Sequence, residues 1–217
     1  MKISNSKYAP VSDALLRQLL APYGVALTAG QVHQIQRYIS LLVQWNQKVN
    51  LTSITEFRQI IELHFGESIF AAHVAPIERG RLADAGSGAG FPGLALKIAC
   101  PELRVVLIEA NSKKAAFLAE VKRRLELEHV EILRSRYEEL SVPAGFADYV
   151  SARAVGGFPG LLRWARGVLA PRGKLLLWLG ADDSRRISRT SGWIWREPVA
   201  IPNSSNRVLL VGEPGLV

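Results

Sequence analysis

The chain has a single cysteine, Cys100, so it can build neither an internal disulfide nor a cysteine zinc cluster, and it fits a reducing compartment. Cys100 precedes Pro101 at the end of an apolar segment, where a buried structural thiol is expected. The histidines His33, His64, His73 and His129 are scattered and form no H-E-x-x-H pair, so no metal site is expected. Ser87 lies between two glycines, but the G-x-S-x-G elbow of serine hydrolases is missing. No run reaches the ~18 apolar residues that a membrane helix needs. The stretch Met1 to Tyr8 is polar and lacks the apolar segment of a secretory signal. A cytoplasmic protein is expected. Repeats, low-complexity tracts and linkers are also lacking, so residues 1–217 read as one domain.

Acidic residues are in deficit. Lys and Arg total 27 against 19 Asp and Glu, a net charge of +8, which favours polyanionic partners and makes nucleic acid a natural partner class. Basic surfaces also occur on proteins that never touch nucleic acid, so charge alone does not decide the matter. Hydrophobic residues make up 48% of the 217, enough for one substantial core with a small accessory unit.

Residues 11 to about 75 read as helices broken at Pro22 to Gly24 and at Asn50 to Thr55. Thr28 and Gln31 form a capping box, after which Val32, Ile35, Ile39 and Leu42 recur at helical spacing. A further helix follows Thr55, with Phe57, Ile60, Ile61, His64 and Phe65 on one apolar face. These stripes are read as core, making residues 1–75 a helical cap. From 76 onward strands alternate with helices: strands near 82–85, 105–109, 130–133, 147–152, 174–179, 193–199 and 207–212, helices near 92–99, 112–127 and 157–169. That alternation predicts an α/β fold, a Rossmann-like, doubly wound and mainly parallel sheet covered on both faces. In such a sheet, ligands bind at the carboxyl ends of the strands.

The most informative segment lies there. Leu82 to Asp84 is a short apolar strand that breaks into Gly86, Gly88 and Gly90 before Pro92 opens a helix. A strand entering a glycine-rich turn lets backbone amides approach a ligand, and the N–H groups of the following helix start add partial positive charge. Spacing leaves two cofactors open: Gly88-x-Gly90-x-x-Gly93 fits a dinucleotide, and Asp84-x-Gly86-x-Gly88-x-Gly90 fits S-adenosylmethionine (SAM). The acid two residues before the first glycine favours SAM, because Asp84 could meet a methionine ammonium but would repel a pyrophosphate. The next strand ends on Glu109, whose carboxylate can take both hydroxyls of a ribose.

Other strand ends carry further candidates. After the third strand, Tyr137 main-chain groups and the Glu138 carboxylate can address an adenine edge, although a plain solvated turn explains them as well. Arg153 ends the fourth strand over the same region, where a planar cation suits a phosphate or carboxylate. Lys113 and Lys114 open the helix after Glu109, where they oppose its dipole, so contact with RNA phosphate competes with simple solvation. Lys122 to Arg124 and Arg185, Arg186 and Arg189 read as solvated faces.

Trp45-Asn46 leading to Asn50-Leu51-Thr52-Ser53, His64 to Ser68, Asp84 to Gly93, Lys113-Lys114 with Phe117-Leu118, Arg136 to Glu138 and Ser151 to Ala154 together resemble the RsmG (GidB) family of small-subunit ribosomal RNA guanine-N7 methyltransferases. The resemblance spans roughly residues 30 to 180. It implies SAM contacts at Gly86, Phe91, Tyr137, Glu138 and Arg153, to which the reading of the turn adds Asp84, Gly88 and Glu109. It further implies Arg153 as a positioning group without a general base, RNA contacts at Asn50, Lys113 and Lys114, and 16S ribosomal RNA or a small-subunit intermediate as partner, met by a monomer. The chain departs from the family pattern at Glu67, where aspartate is usual, at Leu179, where a lysine is usual, and after Asn206, where a histidine-bearing strand entry is missing. Competing readings are a SAM enzyme for a small molecule or protein, an NAD oxidoreductase, and a non-catalytic RNA-binding assembly factor.

Overall fold

The computed structural model describes residues 11–215. The polar stretch Met1 to Tyr8 lies outside the described residues. Helix α1 (Asp13–Leu20) is capped by the Ser12 hydroxyl, and α2 (Ala29–Asn46) starts on the expected box, with Gln31 N donating to Thr28 Oγ1 at 3.2 Å and Thr28 N to Gln31 Oε1 at 2.7 Å. Next comes a helical rod made of α3 (Phe57–Gln59), a π-helical segment (Ile60–Gly66) and α4 (Glu67–Val74). The π segment was not foreseen, because Phe57, Ile60, Ile61, His64 and Phe65 fit an α period equally well. Its wider turn buries Ile60, Ile61, His64, Phe65 and Gly66 together.

The remainder runs β1 (Gly80–Ala85), α5 (Gly93–Ala99), β2 (Leu103–Ile108), α6 (Ser112–Arg124), β3 (Val130–Leu133), β4 (Ala147–Arg153), α7 (Phe158–Val168), β5 (Leu169–Gly180), α8 (Ala181–Ile187), β6 (Trp193–Trp195), β7 (Val199–Ala200) and β8 (Arg207–Pro214). The strands form one sheet in the order β3-β2-β1-β4-β5-β8-β6, with β7 also on β8. Strands β1 to β5 pair in parallel and β8 runs antiparallel to β5, so the mainly parallel sheet is as read from the sequence. Its order reverses at β1, which lies between β2 and β4, and that is where an open sheet leaves a crevice.

Three expectations are corrected. The strand expected over 193–199 is two short strands, β6 and β7, on either side of Pro198, which has no N–H for a ladder. The fifth strand begins at Leu169 rather than near 174, with a register shift opposite Ala147 and Tyr149. Helix α8 was missed: Asp182 and Asp183 in its first turn and Arg185 and Arg186 in its last complement the helix dipole and pair at i,i+3.

Side chains alternate between two cores. Leu82, Val105, Leu107, Leu176, Trp178 and Leu209 face a cluster shared with α1, α2, the π segment, α5 and α6, while Ala83, Val106, Ile108, Leu175, Leu177 and Leu210 face α7 and α8. The cap therefore joins the core of one sheet face. Buried hydrogen bonds tie it down: Gln31 Nε2 donates to the Ile98 carbonyl at 2.8 Å, Tyr38 Oη to Ala89 O at 2.6 Å, and Trp178 Nε1 to Glu67 O at 2.6 Å. Cys100 is buried as expected, donating its thiol to Ile77 O at 3.0 Å, and burial pushes its pKa up to about 11.

Candidate active site

The glycine turn follows β1 directly. Gly86 N and Ser87 N both donate to Ile108 O, at 2.9 and 3.0 Å, which pins the turn to the end of β2. Gly88 takes a positive φ of 57°, and a Cβ there would meet only Gly86 O at 3.9 Å, so the turn presents bare backbone with open space before it. Pro92 is the N-cap of α5 rather than its first helical residue, one position earlier than expected.

Glu109, at the end of β2, reaches across to this turn. One carboxylate oxygen accepts Gly88 N–H at 2.8 Å and the other accepts Asn111 N–H at 2.8 Å. An ionised carboxylate has about four acceptor positions, so roughly two remain for hydroxyls. A carboxylate of this kind beside an open glycine turn fits the ribose of SAM, and the residues present suit that cofactor.

Asp84 is placed otherwise than the sequence implied. Its side chain is wholly buried: Ser151 Oγ donates to Oδ1 at 2.7 Å and Gly93 N to Oδ2 at 3.2 Å. The carboxylate faces inward and clamps β1 to β4 and to the start of α5. Burial raises its pKa to about 6, against the lowering effect of these hydrogen bonds and of Arg153.

Phe91 is also turned inward. Its ring stacks with Tyr38 at 5.3 Å and with His64 at 4.7 Å, so only its main chain is left to serve a ligand. Tyr137 opens a short 3-10 turn, its ring buried against Trp164 at 5.2 Å and its phenol pushed up to about 12 by burial and then by Glu138. Glu138 itself is exposed.

Arg153 is half-buried and points at the cap. Nη1 donates to Leu63 O at 2.7 Å, Nη2 lies 2.6 Å from His64 Nδ1, and Glu67 Oε2 is 3.8 Å away. Glu67, 1% exposed, also meets Arg207 from the start of β8 at 2.7 Å, a Coulombic contact without an aligned N–H, so Oε1 has no hydrogen bond. Burial raises the Glu67 pKa, and the two guanidinium groups oppose the rise. His64 passes the chain of contacts on: its Nε2 lies 2.9 Å from Thr52 Oγ1, which also accepts Ile54 N–H at 3.0 Å. Asn46 then braces Thr52, accepting its N–H at 3.0 Å and donating to its carbonyl at 2.9 Å.

Of the residues singled out from sequence, Gly86, Gly88, Glu109 and Asp84 gather at the first two strand ends, and Arg153 joins them from β4. Asn50, Lys113 and Lys114 lie at the surface, the lysines at the start of α6, where Asn111 Oδ1 accepts both of their backbone N–H groups. Sequence reasoning did not bring Thr52, His64, Glu67 and Arg207 together with Arg153. The Asn50-Leu51-Thr52 signal came closest, since it marks the loop that holds His64.

A mainly parallel sheet with a glycine turn after β1 and an acid reaching it from β2 is the frame of a nucleoside-cofactor enzyme, and the comparisons select the class within it: a SAM-dependent methyltransferase. A SAM-dependent methyltransferase from Aquifex aeolicus covers 71% of this chain and 92% of its own with a TM-score of 0.60 at 16% identity. A putative RNA methyltransferase from Pyrococcus horikoshii covers 69% and 82% with a TM-score of 0.54 at 15% identity, and both likenesses concern the fold alone. The chain belongs to the rRNA small subunit methyltransferase G (GidB) family, whose model matches residues 31–193. The ribosomal RNA small subunit methyltransferase G of Xanthomonas axonopodis pv. citri is 36% identical over 98% of this chain and 100% of its own length, and that of Roseiflexus castenholzii is 40% identical over 92% and 89%. The chain is thus a methyltransferase. Among the described residues no helix is long and apolar enough to cross a membrane.

Proposed function

We propose that the protein transfers the methyl group of SAM to N7 of a guanine in 16S ribosomal RNA, in the cytoplasm, acting as a single-domain monomer on free RNA or a small-subunit intermediate. The observation that carries this reading is the family match over residues 31–193, laid over a glycine turn and Glu109 that suit the cofactor. SAM, when bound, supplies an electrophilic methyl group. Glu109 accepts the ribose hydroxyls, main-chain groups of Gly86, Gly88 and Phe91 line the turn, and Tyr137 and Glu138 address the adenine edge. Asp84 acts from behind, holding Gly93 and Ser151.

Guanine N7 carries a lone pair and no proton, so the chain has no proton to remove and acts by placing the base in line. Positioning of this kind supplies much of the acceleration in bimolecular transfers. Arg153 is the group read as holding that placement, with its charge fixed and its fork oriented. The N7 edge of an A-form duplex lies in a deep, narrow groove, so the target is an unpaired or opened segment. Asn50, Lys113 and Lys114 meet its backbone. The test is to incubate the protein with labelled SAM and 16S ribosomal RNA from cells lacking the enzyme, then map N7-methylguanine by chemical cleavage. Label at another ring position, or on protein with the RNA untouched, would reject the reading.

A further inference from the structure

We propose that His64, contributed by the helical cap, is a positioning residue for methyl transfer: as a neutral imidazole protonated on Nε2, it orients the Arg153 guanidinium, and Thr52 anchors the ring. The inference rests on the reading that Arg153 works at the transfer site.

The tautomer follows from the partners. Arginine has only donors, so the ring nitrogen 2.6 Å from Arg153 Nη2 must offer its lone pair. Nδ1 is therefore bare, and the proton of a neutral ring sits on Nε2, 2.9 Å from Thr52 Oγ1, which accepts it. With the proton on Nδ1, two donors would confront each other inside a buried site. The ring cannot turn away easily: it is 6% exposed and stacked on Phe91 at 4.7 Å and 14°. Burial, then the charges of Arg153 and Arg207, lower its pKa to about 3, so it stays neutral throughout the working pH range.

A neutral acceptor has a particular use here. It fixes the direction of the guanidinium without forming the close ion pair that a carboxylate would make, and Glu67 stays at 3.8 Å. Together with Leu63 O at 2.7 Å, the lone pair of His64 accounts for two of the five N–H donors of Arg153. The same chain of contacts links the Asn46 and Thr52 loop to the end of β4.

Three variants test this in the full chain, with kcat on saturating 16S ribosomal RNA, SAM affinity and melting temperature read for each. His64→Gln reaches toward the Nε2 position and leaves Arg153 without its acceptor, and kcat should fall roughly 10- to 100-fold, the range for losing a hydrogen bond to a charged group. SAM affinity should change little, while the melting temperature should fall by several degrees for the lost buried hydrogen bond. His64→Asn places an oxygen where Nδ1 was and should recover most of the loss. Thr52→Val removes the Nε2–H acceptor while Arg153 still claims Nδ1, so the ring should keep its proton on Nε2 with an altered Nε2–H signal in the imidazole ¹⁵N NMR spectrum, and kcat should fall as the ring loses its anchor. A His64→Gln enzyme within about twofold of native kcat, equal losses in the Asn and Gln variants, or an Nδ1–H spectrum in the unaltered protein would overturn the proposal. If His64→Gln fails to fold, the Thr52→Val spectrum and rate decide. An unaltered enzyme that methylates no ribosomal RNA would count against the functional reading instead. The tautomer spectrum is read without RNA and would still overturn the His64 assignment if it showed Nδ1–H.

Discussion

Asp84→Asn separates two roles for one carboxylate. Burial holds the Asp84 pKa at about 6 against an ordinary 3.8. An acid whose folded pKa is raised favours folding most when protonated, so its contribution is fully present below about pH 4 and is lost as the pH rises through about 6. At 1.36 kcal/mol per unit, that loss amounts to about 3 kcal/mol by pH 8. Asparagine has the same shape and no charge. Its oxygen can keep the Gly93 N–H bond and its NH2 can donate to Ser151 Oγ, whose hydroxyl turns to accept. Asp84→Asn should therefore be as stable as the native protein at pH 4 and more stable at pH 8 by up to about 3 kcal/mol, with the gain developing between those values. Urea unfolding at half-unit pH steps reads this directly. A variant less stable at pH 8, or a difference that does not change with pH, would refute the argument. Calorimetry with SAM at pH 8 adds the second arm: affinity should be nearly unchanged, and a loss of more than about 2 kcal/mol would restore Asp84 to direct contact with the cofactor.

Three further outcomes are expected. Glu109→Ala should weaken SAM binding by about 1 to 3 kcal/mol in calorimetry, because the ribose acceptor and the brace on Gly88 N–H are lost together. Gly90→Ala should destabilise the fold by roughly 2 to 4 kcal/mol in thermal unfolding, since φ is +88° and the new Cβ would strike the Tyr38 hydroxyl and come within 2.9 Å of Leu94 Cδ1. Replacing Lys113 and Lys114 by Ala should flatten the log–log salt dependence of RNA binding by up to about 2 units, with SAM affinity preserved.

The turn from Asp84 to Gly93 and the element pattern around it are legible in the sequence because their determinants are local. Period-2 strands, glycines at positive φ and a capping box each act within a few residues. The direction of a side chain is not local. Asp84 reads as a ligand group until Ser151, brought alongside by the β1–β4 pairing, claims it. Phe91 is a SAM contact in the family resemblance, and the sequence does not show that Tyr38 and His64 enclose its ring and leave its main chain for that role. The π segment escapes notice for a related reason: an apolar stripe fixes which face is buried, but not the hydrogen-bond step of the backbone beneath it.

The charge cluster between cap and sheet carries the same point to the departures from the family pattern. Glu67, Arg153 and Arg207 come from α4, β4 and β8 and meet only because the cap shares the core of one sheet face. On that face the tip of β5 presents Trp178, which is paired in register with Arg153 and donates to Glu67 O. Leu179, where the family pattern has a lysine, is turned to the other face and packs in the cluster of α7 and α8. The cap-facing strand ends therefore take their positive charge from Arg153 and Arg207, both in ion-pair range of the buried Glu67. In the mechanism proposed above, Arg153 at the end of β4, oriented by neutral His64 from the π segment, is the side chain on which positioning of the base depends.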